Sequence, residues 1–194
     1  MKAVTKLAER KRSLRRESRA RLHAFLRPEL KSNWDQQILS FLEQVLPASG
    51  GLGAAFVSLV DEPDLLQPLM KLKSWTWCWP RVESEGLKFY TVKNPADFVT
   101  SPYGLQEPDP ERAEPVDLQA CEVVCVPGVA FDRSGSRLGR GKGYYDKALA
   151  PYLGTKVGVA YSAQITTDDL PSEPHDMRMN YVVTEKFILK LKGQ

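Results

Sequence analysis

The sequence predicts an α/β fold: a single domain with an open, mostly parallel sheet, helices on both faces in a three-layer, Rossmann-like arrangement, and an N-terminal helical arm. Three observations lead to this prediction. Short apolar runs bounded by glycine, proline and acidic residues alternate with segments of helical periodicity, which is the pattern of a parallel sheet with crossover helices. A chain of 194 residues with 42% apolar content can bury one good core. No apolar run approaches the length of a membrane span.

The first half of the chain is predicted to form two helices followed by alternating strands and helices. In the first helix Lys11, Leu14, Arg15 and Ser18 recur on one face at i, i+3, i+4 and i+7. The second helix carries an apolar stripe and ends before Pro47 and the glycines that follow it. The predicted elements are a helix at 7–26, a helix from Ser32 or Asn33 to Val45, a strand at 54–59, a helix at 63–73, a strand at 75–79 that Pro80 stops, and a strand at 87–92.

The second half is predicted to surround a glycine-rich loop. Residues 94–117 contain five prolines, too many for regular structure, and are expected to form a long ordered loop. The elements after it are a central strand at 121–126, the glycine-rich loop, a helix ending near Gly154, a strand at 156–161, a short helix or turn at 164–170, a strand at 181–183, and a closing helix or tail at 185–191. Ligands of such sheets bind outside the carboxyl ends of the strands, so the glycine loop, Asp61-Glu62 and Asp176 are candidates for one shared site.

Charge and cysteine content narrow the class of protein. The net charge of +3 conceals an asymmetry, because residues 1–31 hold eleven Lys and Arg against three Asp and Glu, a balance of +8, and the rest of the chain carries −5. The basic segment suits either a polyanion or one phosphate-rich ligand. The three cysteines are an odd count without paired spacing, and the first twenty residues lack the apolar core of a secretory signal. An intracellular, cytoplasmic protein with buried thiols is therefore expected.

Residues 126–145 form the stretch around which the chain is organised. An apolar run leads into Pro127-Gly128, a turn-rich segment follows, and Gly139, Gly141 and Gly143 alternate with Arg140 and Lys142 before a helical pattern begins. A strand, a basic glycine loop and a helix in this order favour phosphate binding, because glycines let backbone N–H groups approach an anion closely. The spacing excludes a P-loop, which needs Ser or Thr after the Lys, and the dinucleotide fingerprint, which needs Gly at 144. A glycine-rich turn with solvated charges remains the alternative.

The full string PG-x-x-FD-x-x-G-x-RLGRGKGYYD resembles the motif of the 5-formyltetrahydrofolate cyclo-ligase family, also called methenyltetrahydrofolate synthetases. Other segments resemble the family in the right order over nearly the whole chain. These are KRSLRRE at 11–17, Phe56-Val57-Ser58 with Asp61-Glu62, Trp79-Pro80-Arg81, Tyr103 to Pro108, and Pro174-His175-Asp176. Tyr103 stands where the family commonly has Trp or Phe, and Pro63-Asp64-Leu65 replaces a Thr-containing segment; both departures concern folate contacts.

The resemblance implies an α/β enzyme that uses ATP and Mg²⁺ to close 5-formyltetrahydrofolate to 5,10-methenyltetrahydrofolate, through phosphorylation of the formyl oxygen and attack by N10. It implies that Arg140, Lys142 and Tyr144 act in catalysis. The residues implied to bind ATP are Lys11, Arg12, Ser13, Leu14, Arg15, Arg137, Leu138, Gly139, Arg140, Gly141, Lys142, Gly143, Tyr144 and Tyr145. The residues implied to bind the folate are Val57, Glu62, Tyr103, Arg140, Gly141, Lys142, Gly143 and Tyr144. Asp146 and Asp176 match the metal-binding positions.

Several alternatives stay open on the residues alone. Asp146 suits a first-turn carboxylate at a helix N-terminus, and Tyr144 suits a core aromatic. The basic first helix suits a solvated face or a nucleic-acid-binding arm, and a phosphotransferase that does not use folate is a third possibility. Under the resemblance, the expected partners are 5-formyltetrahydrofolate and MgATP, with no nucleic acid and no membrane, and the expected state is a monomer.

Overall fold

The computed structural model describes residues 2–101, 104–173 and 176–191, with side chains from residue 6 onward. Within these residues the α-helices are α1 (Lys2–Phe25), α2 (Pro28–Glu43), α3 (Leu66–Met70) and α4 (Tyr144–Leu149). The strands are β1 (Gly51–Ala54), β2 (Trp75–Glu83), β3 (Gly86–Thr91), β4 (Phe98–Thr100), β5 (Gln106–Pro108), β6 (Glu114–Val116), β7 (Val123–Pro127), β8 (Ala130–Asp132), β9 (Arg137–Leu138), β10 (Thr155–Val159), β11 (Ile165–Thr166), β12 (Tyr181–Val183) and β13 (Ile188–Lys190). No helix of the described part is long and apolar enough to cross a membrane.

A mixed sheet of eight strands forms the centre of the fold, in the order β13-β12-β10-β7-β1-β2-β3-β6. The five strands from β12 to β2 pair in parallel. β13 is antiparallel to β12 at one edge, and β3 and β6 continue the sheet antiparallel at the other. The predicted mostly parallel α/β sheet is confirmed, with antiparallel strands added at both edges.

The side chains of β7 show how the sheet separates two core layers. Val123 and Cys125 belong to the cluster on one face, together with residues of α1, α2 and α3. Val124 and Val126 belong to the cluster on the other face, together with Leu149 of α4. Strand side chains point alternately to opposite faces, so an unbroken apolar run is what a strand buried on both sides requires. The predicted three-layer arrangement is confirmed.

The predicted strand at 54–59 and the predicted end of the next strand at Pro80 are wrong. β1 ends at Ala54, and residues 55–59 continue as irregular chain. Because β1 pairs with β2 only as far as Cys78, Pro80 faces no β1 residue that would need its missing N–H, and β2 continues through it to Glu83. The early end of β1 leaves space at the carboxyl edge of the sheet.

Other differences concern short elements. The predicted long loop at 94–117 contains β4, β5 and β6, and the predicted closing helix or tail contains strand β13. The helix after the glycine loop ends at Leu149 and not near Gly154. α2 begins earlier than predicted, at Pro28, which occupies its first turn. Elements of three to six residues carry too little periodicity for their type to be read from sequence.

The three cysteines are buried free thiols, as predicted. The predicted placement of Cys121 and Cys125 on one strand is wrong, because β7 begins at Val123. Cys121 lies beside Cys78 of β2, with the two sulfur atoms 3.5 Å apart. No local sequence pattern indicates this contact, because the two residues are 43 positions apart.

Candidate active site

A cavity of about 600 Å³ opens at the carboxyl edge of the sheet, where ligands of parallel sheets bind. One wall is formed by the irregular chain after β1, another by the β2–β3 hairpin and the segment leading into β5, and a third by the glycine loop with the start of α4. The lining residues are 56–60, 62, 80, 82, 87, 104–107, 127–128, 137 and 139–146. The predicted folate-side positions Val57 and Glu62 thus share one cavity with the predicted phosphate loop.

The glycine loop, residues 139–143, connects β9 to α4. Gly141 and Gly143 have φ angles of +102° and +73°, in the left-handed region that favours glycine, and Gly143 caps the N-terminus of α4. A Cβ atom on Gly141 would lie 3.3 Å from Cζ of Arg15, so α1 presses directly against the loop. Arg15 also donates a hydrogen bond from Nε to the carbonyl oxygen of Gly139, at 2.8 Å. Helix α1 therefore holds the loop in place.

Arg140 of the loop reaches across to the wall that contains Glu62. Its Nη2 lies 2.6 Å from Oδ1 of Asp61 and 2.8 Å from Oε1 of Glu62. Burial alone would lower the pKa of Arg140, but the charges and hydrogen bonds of Glu62 and Asp61 raise it. Lys142 and Tyr144, the other predicted catalytic residues, line the same cavity and are exposed. The structure therefore brings all three to one side of the cavity.

Arg137 and Tyr145 form the buried floor beneath the loop. The Arg137 side chain is 4% exposed, and its Nη2 lies 2.7 Å from Oδ1 of Asp146. Its Nη1 donates to the carbonyl oxygen of Pro127, and its Cζ lies 5.6 Å from the centre of the Tyr145 ring. The Tyr145 hydroxyl is buried and makes no hydrogen bond within the described residues. Burial and the negative charge of Glu62 raise the pKa of Tyr145, so its hydroxyl stays protonated.

The predicted ATP-binding segment on α1 contacts the rest of the protein through one helix face only. Lys11 lies 2.7 Å from both Asp176 and Glu173, and Arg15 holds the glycine loop. Leu14 packs against the small cluster that contains Leu138 of β9, which places this predicted residue beneath the loop. Two further members of the segment point elsewhere: Arg12 is exposed, and the Ser13 hydroxyl donates to Glu17 one helical turn on.

The pKa shifts of the two α1 cations have opposite signs. Burial alone would lower the pKa of Lys11, but its bonds to Asp176 and Glu173 raise it. Burial and the neighbouring charge of Arg19 lower the pKa of Arg15, against the attraction of Asp146 and Asp176. Asp146 and Asp176 come from different parts of the chain, yet both act on Arg15. Both predicted metal-binding carboxylates thus favour the charged form of Arg15, although Asp176 pairs with Lys11 and Asp146 pairs with Arg137.

Glu62 is buried in the cavity wall formed by the irregular chain after β1 and is fixed there by a hydrogen bond. It is only 4% exposed, and its Oε2 accepts a hydrogen bond from the backbone N–H of Leu59 at 3.0 Å. Val57 lies half-buried on the same wall. The predicted stacking residue Tyr103 lies outside the described residues. The segment that follows it, from residue 104, closes this side of the cavity.

Sequence reasoning missed Glu107. This residue is 4% exposed, lines the cavity and accepts a hydrogen bond from the backbone N–H of Val82. Arg81 lies beside it and donates to the carbonyl oxygen of Pro108 at 2.9 Å, so the two side chains fasten β5 to β2. A lone acid in a proline-rich segment carries no sequence signal of burial.

The predicted metal ligands Asp146 and Asp176 both supply carboxylate oxygens, the type of ligand that Mg²⁺ takes. Within the described residues no three His, Cys, Asp or Glu side chains come together in a metal-binding group. Mg²⁺ is commonly bound through one or two carboxylates together with substrate phosphates and water. Each aspartate is ion-paired here, Asp146 with Arg137 and Asp176 with Lys11.

Comparisons with known proteins agree with this geometry. The model of the "5-formyltetrahydrofolate cyclo-ligase family" matches residues 5–185. A 5-formyltetrahydrofolate cyclo-ligase of Mycolicibacterium smegmatis is 38% identical over 150 residues, which cover 73% of this chain and 77% of that protein. The solution structure of Aquifex aeolicus 5,10-methenyltetrahydrofolate synthetase superposes with a TM-score of 0.80 at 34% identity, over 95% of this chain and 94% of that one. The Mycoplasma pneumoniae 5,10-methenyltetrahydrofolate synthetase shares the fold, with a TM-score of 0.70 at 22% identity over 91% and 99% of the two chains.

Proposed function

The chain belongs to the 5-formyltetrahydrofolate cyclo-ligase family, and from this premise we propose that it uses ATP to convert 5-formyltetrahydrofolate into 5,10-methenyltetrahydrofolate, releasing ADP and phosphate. The observation that carries the proposal is the cavity in which the glycine loop faces Glu62, with Arg140 of the loop in contact with Glu62. A volume of about 600 Å³ is within the usual range of small-molecule sites. Two ligands meeting at the loop would place a phosphoryl group beside the folate.

The formyl group on N5 is an amide and a poor electrophile, so its oxygen must be activated. In the proposed reaction this oxygen attacks the γ-phosphorus of ATP, and ADP leaves. N10 then attacks the formyl carbon and loses its proton, and the bond from that carbon to the phosphate oxygen breaks. Phosphoryl transfer depends on positioning and on neutralising charge more than on a nucleophilic side chain. The cationic cavity wall meets that requirement.

The roles we assign follow from position. Arg140 and Lys142 neutralise the charge of the transferring phosphoryl group, and the hydroxyl of Tyr144 at the rim donates a hydrogen bond to the folate or to the formyl oxygen. Glu62 accepts hydrogen bonds from the N–H groups of the pterin, a pairing that a fixed, buried carboxylate makes well. Val57 and the glycines of the loop contact the folate, and the undescribed Tyr103 keeps its predicted role as the stacking residue.

ATP would be held between α1 and the glycine loop. The phosphates would replace internal partners of the site, taking Lys11 from Asp176 and Arg137 from Asp146. This exchange frees two hard oxygen ligands at the moment when the nucleotide arrives. A Mg²⁺ ion bound by Asp146 and Asp176 would neutralise charge on the phosphates. The remaining predicted nucleotide contacts, residues 12–14 and 138, would support this segment and the loop.

The direct test is the absorbance of the methenyl product, followed with and without ATP in purified protein. The proposal requires product only when 5-formyltetrahydrofolate, ATP and Mg²⁺ are all present. ATP turnover that is indifferent to folate would instead identify a phosphotransferase of another kind. A monomeric state, tested by light scattering, and a cytoplasmic location stay predictions from the sequence.

A further inference from the structure

Arg140 is held by two acidic residues that are neighbours in the sequence but differ in their surroundings. The Glu62 side chain is 6% exposed and fixed to the backbone of Leu59, whereas the Asp61 side chain is 31% exposed at the rim of the cavity. Both bind the same nitrogen of Arg140, and Glu62 receives a second hydrogen bond, at 3.1 Å, from Arg140 Nε. One carboxylate belongs to the wall and the other to the rim.

The hydrogen-bonding capacity of Glu62 is nearly used in this arrangement. A carboxylate offers about four lone-pair sites. Two N–H groups of Arg140 occupy Oε1, and the backbone N–H of Leu59 occupies one site on Oε2. A substrate that presents a pair of N–H donors to Glu62, as the proposed function requires, must therefore displace at least one hydrogen bond from Arg140.

We propose that Asp61 is a positioning residue for Arg140. When the substrate takes Glu62, Asp61 retains the guanidinium at the cavity rim through Nη2, which lies 2.6 Å from its Oδ1. Nε, released from Glu62, and Nη1 then become available to phosphoryl oxygens. Without Asp61, Arg140 would have no fixed position after its release from Glu62 and would populate several rotamers during phosphoryl transfer. This inference rests on the proposed function.

The partial exposure of the Asp61–Arg140 ion pair distinguishes a positioning role from a purely structural one, because a solvent-screened pair contributes little to stability. The Asp61 and Arg140 side chains are each about one third exposed. Ion pairs of this kind contribute little to folding because solvent screens them. Replacing Asp61 should therefore leave the stability of the protein unchanged while it disturbs the chemical step.

The test compares Asp61→Asn with Asp64→Asn, a matched control three residues further along the same segment. Asp64 is exposed, and its carboxylate accepts from the backbone N–H of Leu66. For each variant we would measure the melting temperature, the dissociation constant for 5-formyltetrahydrofolate without ATP, and kcat. Asp61→Asn should lower kcat by about tenfold, in line with the loss of one positioned charge-stabilising group. Its folate affinity should stay within about twofold of wild type, and its melting temperature should equal that of the control.

A third variant, Asp61→Glu, keeps the charge and should restore most of the lost kcat. An unchanged kcat in Asp61→Asn would overturn the proposal. So would a joint loss of kcat, folate affinity and melting temperature that Asp61→Glu does not repair, because that pattern identifies a structural residue. Failure of the proposed function looks different, since wild-type protein would then form no methenyl product at all.

Discussion

Replacing Asp132 with asparagine should destabilise the protein by about 2–4 kcal/mol, because neither oxygen of this side chain can become an NH₂ group without a clash of donors. Asp132 is 1% exposed at the end of β8. Its Oδ1 accepts from the backbone N–H groups of Ser134 and Ser136 and from the Ser134 hydroxyl, and its Oδ2 accepts from the backbone N–H of Leu170.

The magnitude follows from these bonds. Whichever way the new amide turns, its NH₂ group faces at least one buried backbone N–H, and each buried group left unsatisfied costs about 1–3 kcal/mol. The remaining oxygen also loses its negative charge, which weakens the bonds that survive. The effect should be local to the β8–β9 turn and to the segment around Leu170, which Asp132 joins.

Urea unfolding of wild type and variant at neutral pH measures the difference, through the midpoint at constant slope. Asp117→Asn is the control, because Asp117 is an exposed cap that accepts from the backbone N–H of Gln119, and asparagine caps as well as aspartate. The control should lose less than about 0.5 kcal/mol. If Asp132→Asn loses no more than the control, the assigned hydrogen bonds do not carry the stability of this turn.

The pH dependence gives a second check on Asp132. Burial would raise the pKa of this carboxyl, but its hydrogen bonds from Leu170, Ser134 and Ser136 lower it below the ordinary value of 3.8. A lowered folded-state pKa stabilises the protein above the unfolded value, and this contribution is lost as the pH falls through the folded value. The difference between wild type and Asp132→Asn should therefore shrink below about pH 4.

Three further predictions concern the glycine loop, the proposed nucleotide contacts of α1 and the buried thiols. Gly141→Ala should weaken binding of a non-hydrolysable ATP analogue at least about tenfold, because the new Cβ strains a left-handed residue and pushes against Arg15 of α1. Gly104→Ala is the control, since Gly104 is also left-handed but lies in open space, and equal affinities of the two variants would contradict the reasoning. Lys11→Ala should weaken the same analogue more than Arg10→Ala, an exposed neighbour, and calorimetry that ranks them the other way would refute the inward role of Lys11. Burial raises the pKa of Cys125 to about 12, so iodoacetamide at pH 8 should leave this thiol unmodified in the native protein and alkylate it in urea. Mass spectrometry measures the modification, and rapid labelling of Cys125 in the native protein would contradict its burial.

The central strands were predictable where burial on both faces of the sheet requires a continuous run of apolar residues. The continuous apolar run around β7 has no other stable use in a domain of this size, so the strand and its place before the glycine loop were read correctly to within two residues. β2 was cut short because proline is normally excluded from a sheet interior, and only the length of the neighbouring strand β1 shows that Pro80 escapes this rule. The length of a neighbouring strand cannot be inferred from the local sequence around a proline.

The candidate site shows the same limit more strongly. The glycine loop and its cations were recognised from composition and spacing, and the cavity unites them with Val57 and Glu62. The pairing of Arg140 with Glu62 joins residues 78 positions apart, and nothing in either segment selects the other. Glu107 was missed as a site residue for this reason, and Asp61 was named as a candidate for the shared site without its partner Arg140, since an acid is recognised as buried only when its partners are known.

The anchoring of α1 has a consequence for how the protein reaches its active form. Lys11 contacts Asp176, 165 positions later, and Arg15 contacts Gly139, 124 positions later. During synthesis the first helix leaves the ribosome long before these partners exist, and such non-local contacts form slowly because they close very long loops. We therefore expect the contacts of α1 with Asp176 and Gly139 to form late in folding, and binding of an ATP analogue, if α1 holds it as proposed, to appear later than the secondary structure does.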